Sequence, residues 1–478
     1  MDPLGERDVA GEAVELAART AAAYLDELDA APVRHPDSSA AIEGFGGTLP
    51  EDGDGAMAAL HELAGPGVRG AIQSAGPRMF HFVTGGVTPA ALGADWLASL
   101  LDQNAGMWVS SPLASRLEAV SVDWLKDLFR LPAAWEGVLT TGATMANFTG
   151  LACARQWWAE RHGVNLEKRG FAGLPAAPVL SSDYIHASAR KALSLLGFGR
   201  EGVQVFSADG TGSLDAGALE AKLRSLDGAP AILIGNAGEV NAGHFDALEK
   251  LADLAERHNA WLHVDGAFGL FARATPRGDA LTAGIERADS VIADGHKWLN
   301  VPYDCGFAFV REPGRLASAF SAPAAYLPNA VADQPNFFER APEMSRRARS
   351  LAVWATLRAY GRAGHRAMVE RHLDLAQRLA ARIDEADDLE RLADVPLNVV
   401  CFRHRPAGMP EEELDEHNRR LGEAVLEDGR VYMGTTVYEG RVAFRPAIVN
   451  WRTTEPDVDA IVDVVRELAA TGGGAPIQ

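Results

Sequence analysis

The stretch AILIGNAGEVNAGHFDALEKLADLAERHNAWLHVD (231–265) decides the fold. AILIG (231–235) and WLHVD (261–265) are short, apolar and strand-like. Between them, ALEKLADLAERHN (247–259) gathers Leu248, Leu251, Ala252, Leu254 and Ala255 on one broad helical face. Strand, one-sided helix and strand at this spacing predict a parallel crossover in a sheet covered on both faces. The alternation spreads outward from about residue 88 to 365 and takes in SVIA (290–293) and GFAFV (306–310). Upstream, the spacing predicts a helix from about Val9 to Leu28, then a Pro-, Gly- and Asp-rich arm or loop, RHPDSSAAIEGFGGTLPEDGDG (34–55). Beyond about residue 366 the pattern changes to a helix (368–386), LNVVCFRHRP (397–406), a second helix, VAFRPAIVN (442–450) and a final helix. The expected organisation is an N-terminal helical arm (1–87), a large α/β domain (88–365) and a small C-terminal α+β domain (366–478). TGGGAPIQ (471–478) reads as a frayed tail.

A chain of 478 residues is long enough for a large α/β core with extensions. Its net charge of −20 opposes nucleic acid, whose phosphates repel such a surface. The three cysteines, Cys153, Cys305 and Cys401, lack CxxC spacing. That argues against disulfides and a zinc site, so no metal is expected, and it suits a reducing cytoplasm. The opening residues, MDPLGERDVAGEAVELAART, are charged rather than signal-like. No apolar run reaches the roughly 20 residues of a membrane span, and PAALGADWLASLL is broken by Asp95. GFGREG (197–202) formally satisfies GxGxxG but follows a helix and precedes a strand, the reverse of a dinucleotide site, and reads as a helix end and turn.

In open α/β sheets, reactive groups gather at the carboxyl ends of strands. WLHVDGAFG brings Asp265 to such an end, VIADGHKW brings Lys297, and VLSSDYIHASARKALSLLG delivers His186 to a helix start. Singly, each has an ordinary reading: a turn-forming aspartate, a solvated lysine, a capping histidine. Together they match what pyridoxal phosphate needs, namely an amine for the imine, an acid for the ring nitrogen and a planar group against the ring. TTGATMAN (140–147) adds small residues opening a helix, whose N–H groups can hold a phosphate dianion or simply begin a capped helix.

On these residues the chain resembles the pyridoxal-phosphate-dependent group II amino-acid decarboxylases, the family of aromatic-amino-acid and glutamate decarboxylases. The resemblance runs from about Pro77 to Asp457 through PRMFHFVTGG, WVSSPLASRLE, TTGATMAN, DYIHASARKA, WLHVDGAFG, DGHKWLNVPYDCG, PEMSRRARSLAVW and FRPAIVNWRTTE. It implies the fold type I architecture of pyridoxal-phosphate-dependent aminotransferases. That is a mostly parallel central sheet with helices on both faces and a small C-terminal α+β domain. It also implies a homodimer with its active site at the subunit interface. Position by position, it implies Lys297 as the Schiff-base lysine with His296 beside it, and Asp265 on the pyridine nitrogen. Ala267 and His186 fall on opposite ring faces, and Ala143 and Thr144 at the phosphate.

The chain departs from the family in several places. Asp294 stands where many relatives carry an asparagine near the phosphate. GNAGEVNAGHFD replaces a GTT-like stretch and leaves Asn236 and Asn241 as possible donors. An ungapped alignment sets Phe337, with Phe338 beside it, at the position of a loop tyrosine that protonates the carbon after CO₂ leaves. In related enzymes phenylalanine there accompanies oxidative conversion to an aldehyde, although Tyr326 offers another hydroxyl. Phe82 and Val83 make the expected pocket edge apolar, while Asn104 and Gly106 fall where aromatic decarboxylases carry apolar groups. The expected activity is decarboxylation of an L-amino acid, aromatic by preference, to the amine. Alternatives are oxidative decarboxylation–deamination to an aldehyde, another pyridoxal-phosphate lyase reaction, or a catalytically silent homologue.

Overall fold

The computed structural model describes residues 5–208, 212–322, 331 and 333–472. Tyr326 and most of the tail TGGGAPIQ lie outside the described residues. Among the described residues, the central sheet has seven strands: β1 (Glu136–Thr140), β2 (Val179–Ser181), β3 (Val203–Val205), β4 (Ala231–Asn236), β5 (Ala260–Asp265), β6 (Ser290–Asp294) and β7 (Gly306–Val310). Their spatial order is β1-β7-β6-β5-β4-β2-β3, and only β7 runs antiparallel to its neighbours. The predicted crossover is present, with the helix Leu248–Arg257 joining parallel β4 and β5.

Alternate residues of each strand enter different cores, which shows both faces covered. Leu233, Leu262, Val264, Val291, Phe307 and Phe309 pack on one side with the helix Leu248–Arg257. Ile232, Ile234, Trp261, Ile292, Ala308 and Val310 pack on the other with the helix Ala143–Arg161. Near-continuous apolar strands follow from that double burial. Trp157 and Trp158 are buried in the second core, as packing residues.

The N-terminal helix spans Ala10–Glu27, and the Pro/Gly-rich stretch after it contains one short helix, Ser38–Ile42, among turns. GFGREG is a turn, with Gly197 and Gly199 at positive φ, ahead of β3. The helix Ser350–Asp384 links the sheet to the C-terminal region and breaks at Gly361 (φ 59°), a few residues before the change of style in the sequence. Beyond it, β8 (Leu389–Arg391), β9 (Phe402–His404), β10 (Thr435–Tyr438) and β11 (Arg441–Phe444) form an antiparallel sheet in the order β10-β11-β9-β8. It packs on the helices Glu411–Asp428 and Glu455–Ala470 through its own core, where the Phe402 and Phe444 rings stack at 5.3 Å.

Antiparallel β7 positions the site. Its first residue, Gly306, pairs with Thr140 at the end of β1 and with Asp294 at the end of β6. A Cβ on Gly306 would lie 2.6 Å from the Gly142 backbone. Only glycine lets the segment after β1 settle over the segment after β6.

Candidate active site

Strands β4, β5 and β6 end in Asn236, Asp265 and Asp294, all buried. Gly142 precedes the helix Ala143–Arg161 with φ +147°, and a Cβ there would meet the His296 ring at 2.9 Å and Asp294 at 3.4 Å. The helix start therefore lies directly over the turn that carries Lys297. The Ala143 N–H donates to Asp294 Oδ1 at 2.5 Å. Thr144 follows in the same first turn, whose N–H groups have no intrahelical acceptors.

Lys297 sits on the short helical turn Gly295–Leu299, with Nζ 3.2 Å from Asp294 Oδ2 and 5.8 Å from the centre of the Phe268 ring. His296 accepts the Cys305 N–H on Nδ1 at 3.2 Å, which leaves Nε2 facing Asp294 Oδ1 at 3.5 Å. Its ring stacks on Tyr303 at 4.2 Å. Burial pushes the Asp294 carboxyl up, but Lys297 and His296 outweigh it and hold the group below the ordinary range. On the other side, the Gly85 N–H donates to the His296 carbonyl at 3.2 Å. A Cβ on Gly85 would fall 1.6 Å from the Lys297 carbonyl oxygen.

Asp265 Oδ1 accepts the Ala267 N–H at 3.1 Å, and Oδ2 accepts the Asn147 side-chain N–H at 2.9 Å. The Ala267 carbonyl accepts the Asp294 N–H at 2.8 Å, tying the two strand ends together. His186 caps the helix Ala187–Leu195, its Nδ1 accepting the Ser188 N–H at 3.2 Å. The residue keeps an open face, yet the cleft around its ring lowers its pKa. Asp265 raises that pKa and Lys297 and Arg445 lower it, so His186 lies within electrostatic reach of both the acid and the amine.

Other expected positions fall elsewhere. Val83 is 2% exposed and belongs to the main core, so its side chain backs the cleft rather than edging it, whereas Phe82 is 63% exposed beside the His81 ring. Asn104 is not a free pocket group: its amide oxygen accepts the N–H groups of Gly106 and Arg346, both at 3.0 Å, and clamps those segments together. Phe337 is no loop residue, being buried in the core on the short helix Phe337–Arg340. The guanidinium of Arg346, itself buried and paired with Glu118 at 2.8 Å, lies 5.7 Å from its ring centre. Asn236 spends its side-chain N–H groups on Ser182 and Asp246, and Asn241 accepts the Thr436 hydroxyl.

Three contributors escape a reading by strand ends. Asn147 lies one helical turn inside the helix Ala143–Arg161, and His263 and Ser290 lie within β5 and β6; the three are hydrogen-bonded in a row that ends at Asp265. Arg445, from FRPAIVN, is buried beside the cleft and donates to the Val240 carbonyl at 3.2 Å. The HVD triplet itself was the available signal for His263, because an imidazole in a fully buried strand requires partners.

The donor set suits pyridoxal phosphate. The helix start has its Ala143 N–H given to Asp294 but leaves the Thr144 N–H without an intrahelical acceptor, which with His296 beside it suits a dianion. Asp265 can accept a ring N–H, Lys297 supplies an amine, and the His186 ring offers a planar face. His296 and Asp294 close on Gly142 so tightly that no Cβ fits there, which holds the helix start against the turn that carries Lys297.

Residues 50–405 match the family described as the pyridoxal-dependent decarboxylase conserved domain. The chain is 30% identical to an aromatic-L-amino-acid decarboxylase of Bacillus atrophaeus, over 93% of this chain and 92% of that one. It is 34% identical to an L-2,4-diaminobutyrate decarboxylase of Rhizobium meliloti (strain 1021), over 88% and 83%. The crystal structure of Oryza sativa TDC with PLP and tryptamine superposes with a TM-score of 0.89 at 26% identity, covering 98% of this chain and 99% of that one. The architecture is thus fold type I, as the resemblance implied. With fold, cleft chemistry and relatives in agreement, the chain belongs to the pyridoxal-dependent decarboxylase family and is a pyridoxal-phosphate-dependent amino-acid carboxy-lyase.

Proposed function

We propose that this decarboxylase removes the α-carboxylate of an aromatic or similarly bulky L-amino acid and releases the amine. It works as a cytoplasmic homodimer with interface active sites, built from an arm (1–87), a large domain (88–365) and a small domain (366–478). The convergence of Lys297, Asp265 and His186 beside the start of the helix Ala143–Arg161 carries the reading.

Pyridoxal phosphate, when bound, supplies an aldehyde to which amines add and a ring that takes up the electron pair released with CO₂. Lys297 is the amine that would hold it, and the ion pair with Asp294 fixes where that amine enters the cleft. Asp265 would hold a proton at the ring nitrogen through a charge-assisted hydrogen bond. His186 and Ala267 would bracket the ring. Burial keeps the His186 imidazole uncharged at neutral pH, so it presents a neutral aromatic face. Ala143, Thr144 and His296 would hold the phosphate, with Asp294 ordering the helix start beneath it.

Phe82 supports a bulky apolar substrate: it is exposed three residues before Gly85, the residue that abuts Lys297. The aromatic-L-amino-acid decarboxylase that aligns along nearly the whole chain supports it as well. The amine outcome is supported by the Bacillus atrophaeus and Rhizobium meliloti relatives, both named as decarboxylases. For the dimer, Trp96, Leu97, Leu100 and Leu101 on the helix Pro89–Leu101 are exposed together, an apolar strip suited to a second copy.

Borohydride reduction of the holoenzyme, followed by peptide mass analysis, should leave a pyridoxyl group on Lys297. A panel of aromatic amino acids, diaminobutyrate and glutamate, assayed for CO₂, amine, aldehyde and peroxide, should give CO₂ and amine from an aromatic member. Label on another lysine would sink the site, and turnover of diaminobutyrate alone would sink the substrate class.

A further inference from the structure

Behind Asp265 runs a line of buried hydrogen bonds. Trp261 Nε1–H donates to Ser290 Oγ at 3.0 Å, and Ser290 Oγ lies 2.8 Å from His263 Nδ1. His263 Nε2 is 2.9 Å from Asn147 Oδ1, and Asn147 Nδ2–H donates to Asp265 Oδ2 at 2.9 Å. Asn147, His263 and Ser290 are completely buried.

The ends fix the direction of the line. An ionised carboxylate only accepts, so Asn147 turns its NH₂ to Asp265 and its carbonyl to His263. His263 must therefore donate from Nε2. Burial pushes its pKa down to about 4, so the ring is neutral and Nδ1 is bare, ready to accept the Ser290 hydroxyl proton. The indole N–H, which can only donate, closes the far end. Every proton points toward Asp265, the arrangement in which successive bonds polarise one another.

Gly150 supplies an independent sign that the ring's place is specified. It lies in the interior of the helix Ala143–Arg161, where glycine costs about 1 kcal/mol relative to alanine. A Cβ there would sit 2.8 Å from His263 Cε1 and 2.9 Å from Nδ1.

We propose that His263, locked as the Nε2–H tautomer, is a positioning residue that acts through Asn147 to aim Asp265 Oδ2 and keep it an acceptor for the ring nitrogen of the cofactor. The inference rests on the role given to Asp265 above. It assigns to the HVD histidine, and to an asparagine on the phosphate-side helix, a task that neither performs by touching the cofactor or substrate.

The test compares Asp265→Asn, His263→Leu, Asn147→Leu, Gly150→Ala and His263→Gln holoenzymes. Gln at position 263 can still donate to Asn147 and accept from Ser290. Rates of cofactor release, the position of the cofactor's visible band, kcat, KM and thermal midpoint are measured for each. His263→Leu, Asn147→Leu and Gly150→Ala should each release cofactor at least tenfold faster and lose at least tenfold in kcat, with KM within threefold of wild type. His263→Gln should recover most of both. The proposal alone falls if Asp265→Asn moves release and band while the folded relay variants leave them unchanged, or if His263→Gln is as impaired as His263→Leu. If Asp265→Asn is itself silent, the role of Asp265 and the relay fall together. Should His263→Leu fail to fold, Gly150→Ala, which keeps every polar group, decides.

Discussion

Gly85→Ala offers a sharp test of how tightly the cleft is built. The added methyl would begin 1.6 Å from the Lys297 carbonyl oxygen, where real Cβ contacts essentially never fall below 3.0 Å. The two backbones must part by about 1.4 Å, and neither contact atom is the tip of a flexible side chain. The Gly85 N–H bond to the His296 carbonyl opposes any sliding apart. A misplacement near 1 Å of a reacting group costs on the order of 10²-fold in rate, and overpacking typically costs about 1–3 kcal/mol in stability. The expected result is a folded variant with a lowered denaturation midpoint, kcat down by about a hundredfold, and slower labelling of Lys297 by borohydride. Gly93→Ala is the control: it lies in the helix Pro89–Leu101 with nothing within 4 Å of the new methyl, and should be neutral or slightly stabilising. A Gly85→Ala enzyme with wild-type kcat and midpoint would refute the claim that this segment seats the lysine.

Three further outcomes can be checked. Asp265→Asn should keep part of its cofactor, read by absorbance, while losing a bond worth about 1.5–3 kcal/mol and hence roughly ten- to a hundredfold or more in kcat; near-normal turnover would remove Asp265 from the ring nitrogen. Glu118→Gln leaves the buried Arg346 guanidinium without its counter-charge and should cost about 3 kcal/mol or more in urea unfolding, whereas a loss below 1 kcal/mol would mean solvent reaches the pair. His263, His365 and His372 are buried and neutral, with pKa values lowered to about 4, 4 and 3 by burial. Below pH 6.5 the unfolded chain takes up protons that the folded chain refuses, so stability should fall by about 1.4 kcal/mol per pH unit for each until their folded pKa values are reached. A midpoint unchanged between pH 7 and 5 would contradict this, and His372→Gln should flatten the slope.

Local pattern carried much of the architecture. The apolar face of 247–259 and the runs on either side of it specify the crossover because period and burial are properties of neighbouring residues. Asp265, Lys297 and His186 were legible as candidates for the same reason: Asp265 closes a strand, His186 caps a helix, and Lys297 sits on the short turn that follows a strand. The direction of β7 was not legible, since an apolar run such as GFAFV suits either direction and its pairing is set by strands far along the chain. Val83 and Asn104 misled because residue type cannot tell a pocket wall from a core residue or a backbone clamp. Phe337 misled because an ungapped count across a variable segment ignores what buries the ring. The His263–Asn147 contact joins residues 116 apart and leaves no local trace beyond a polar group in an apolar run.

The slot that Gly306 occupies between the ends of β1 and β6 also bears on biosynthesis. Ala143 and Asp294, which meet above it, are 151 residues apart, and the strand that wedges them together is the last of its sheet to leave the ribosome. Until then a nascent polypeptide displays two unpaired apolar edges, the kind of surface that recruits chaperones and invites aggregation. Translation stalled ahead of Gly306 should yield a product that captures no vitamin-derived cofactor, because the strand that joins β1 to β6 is missing from it.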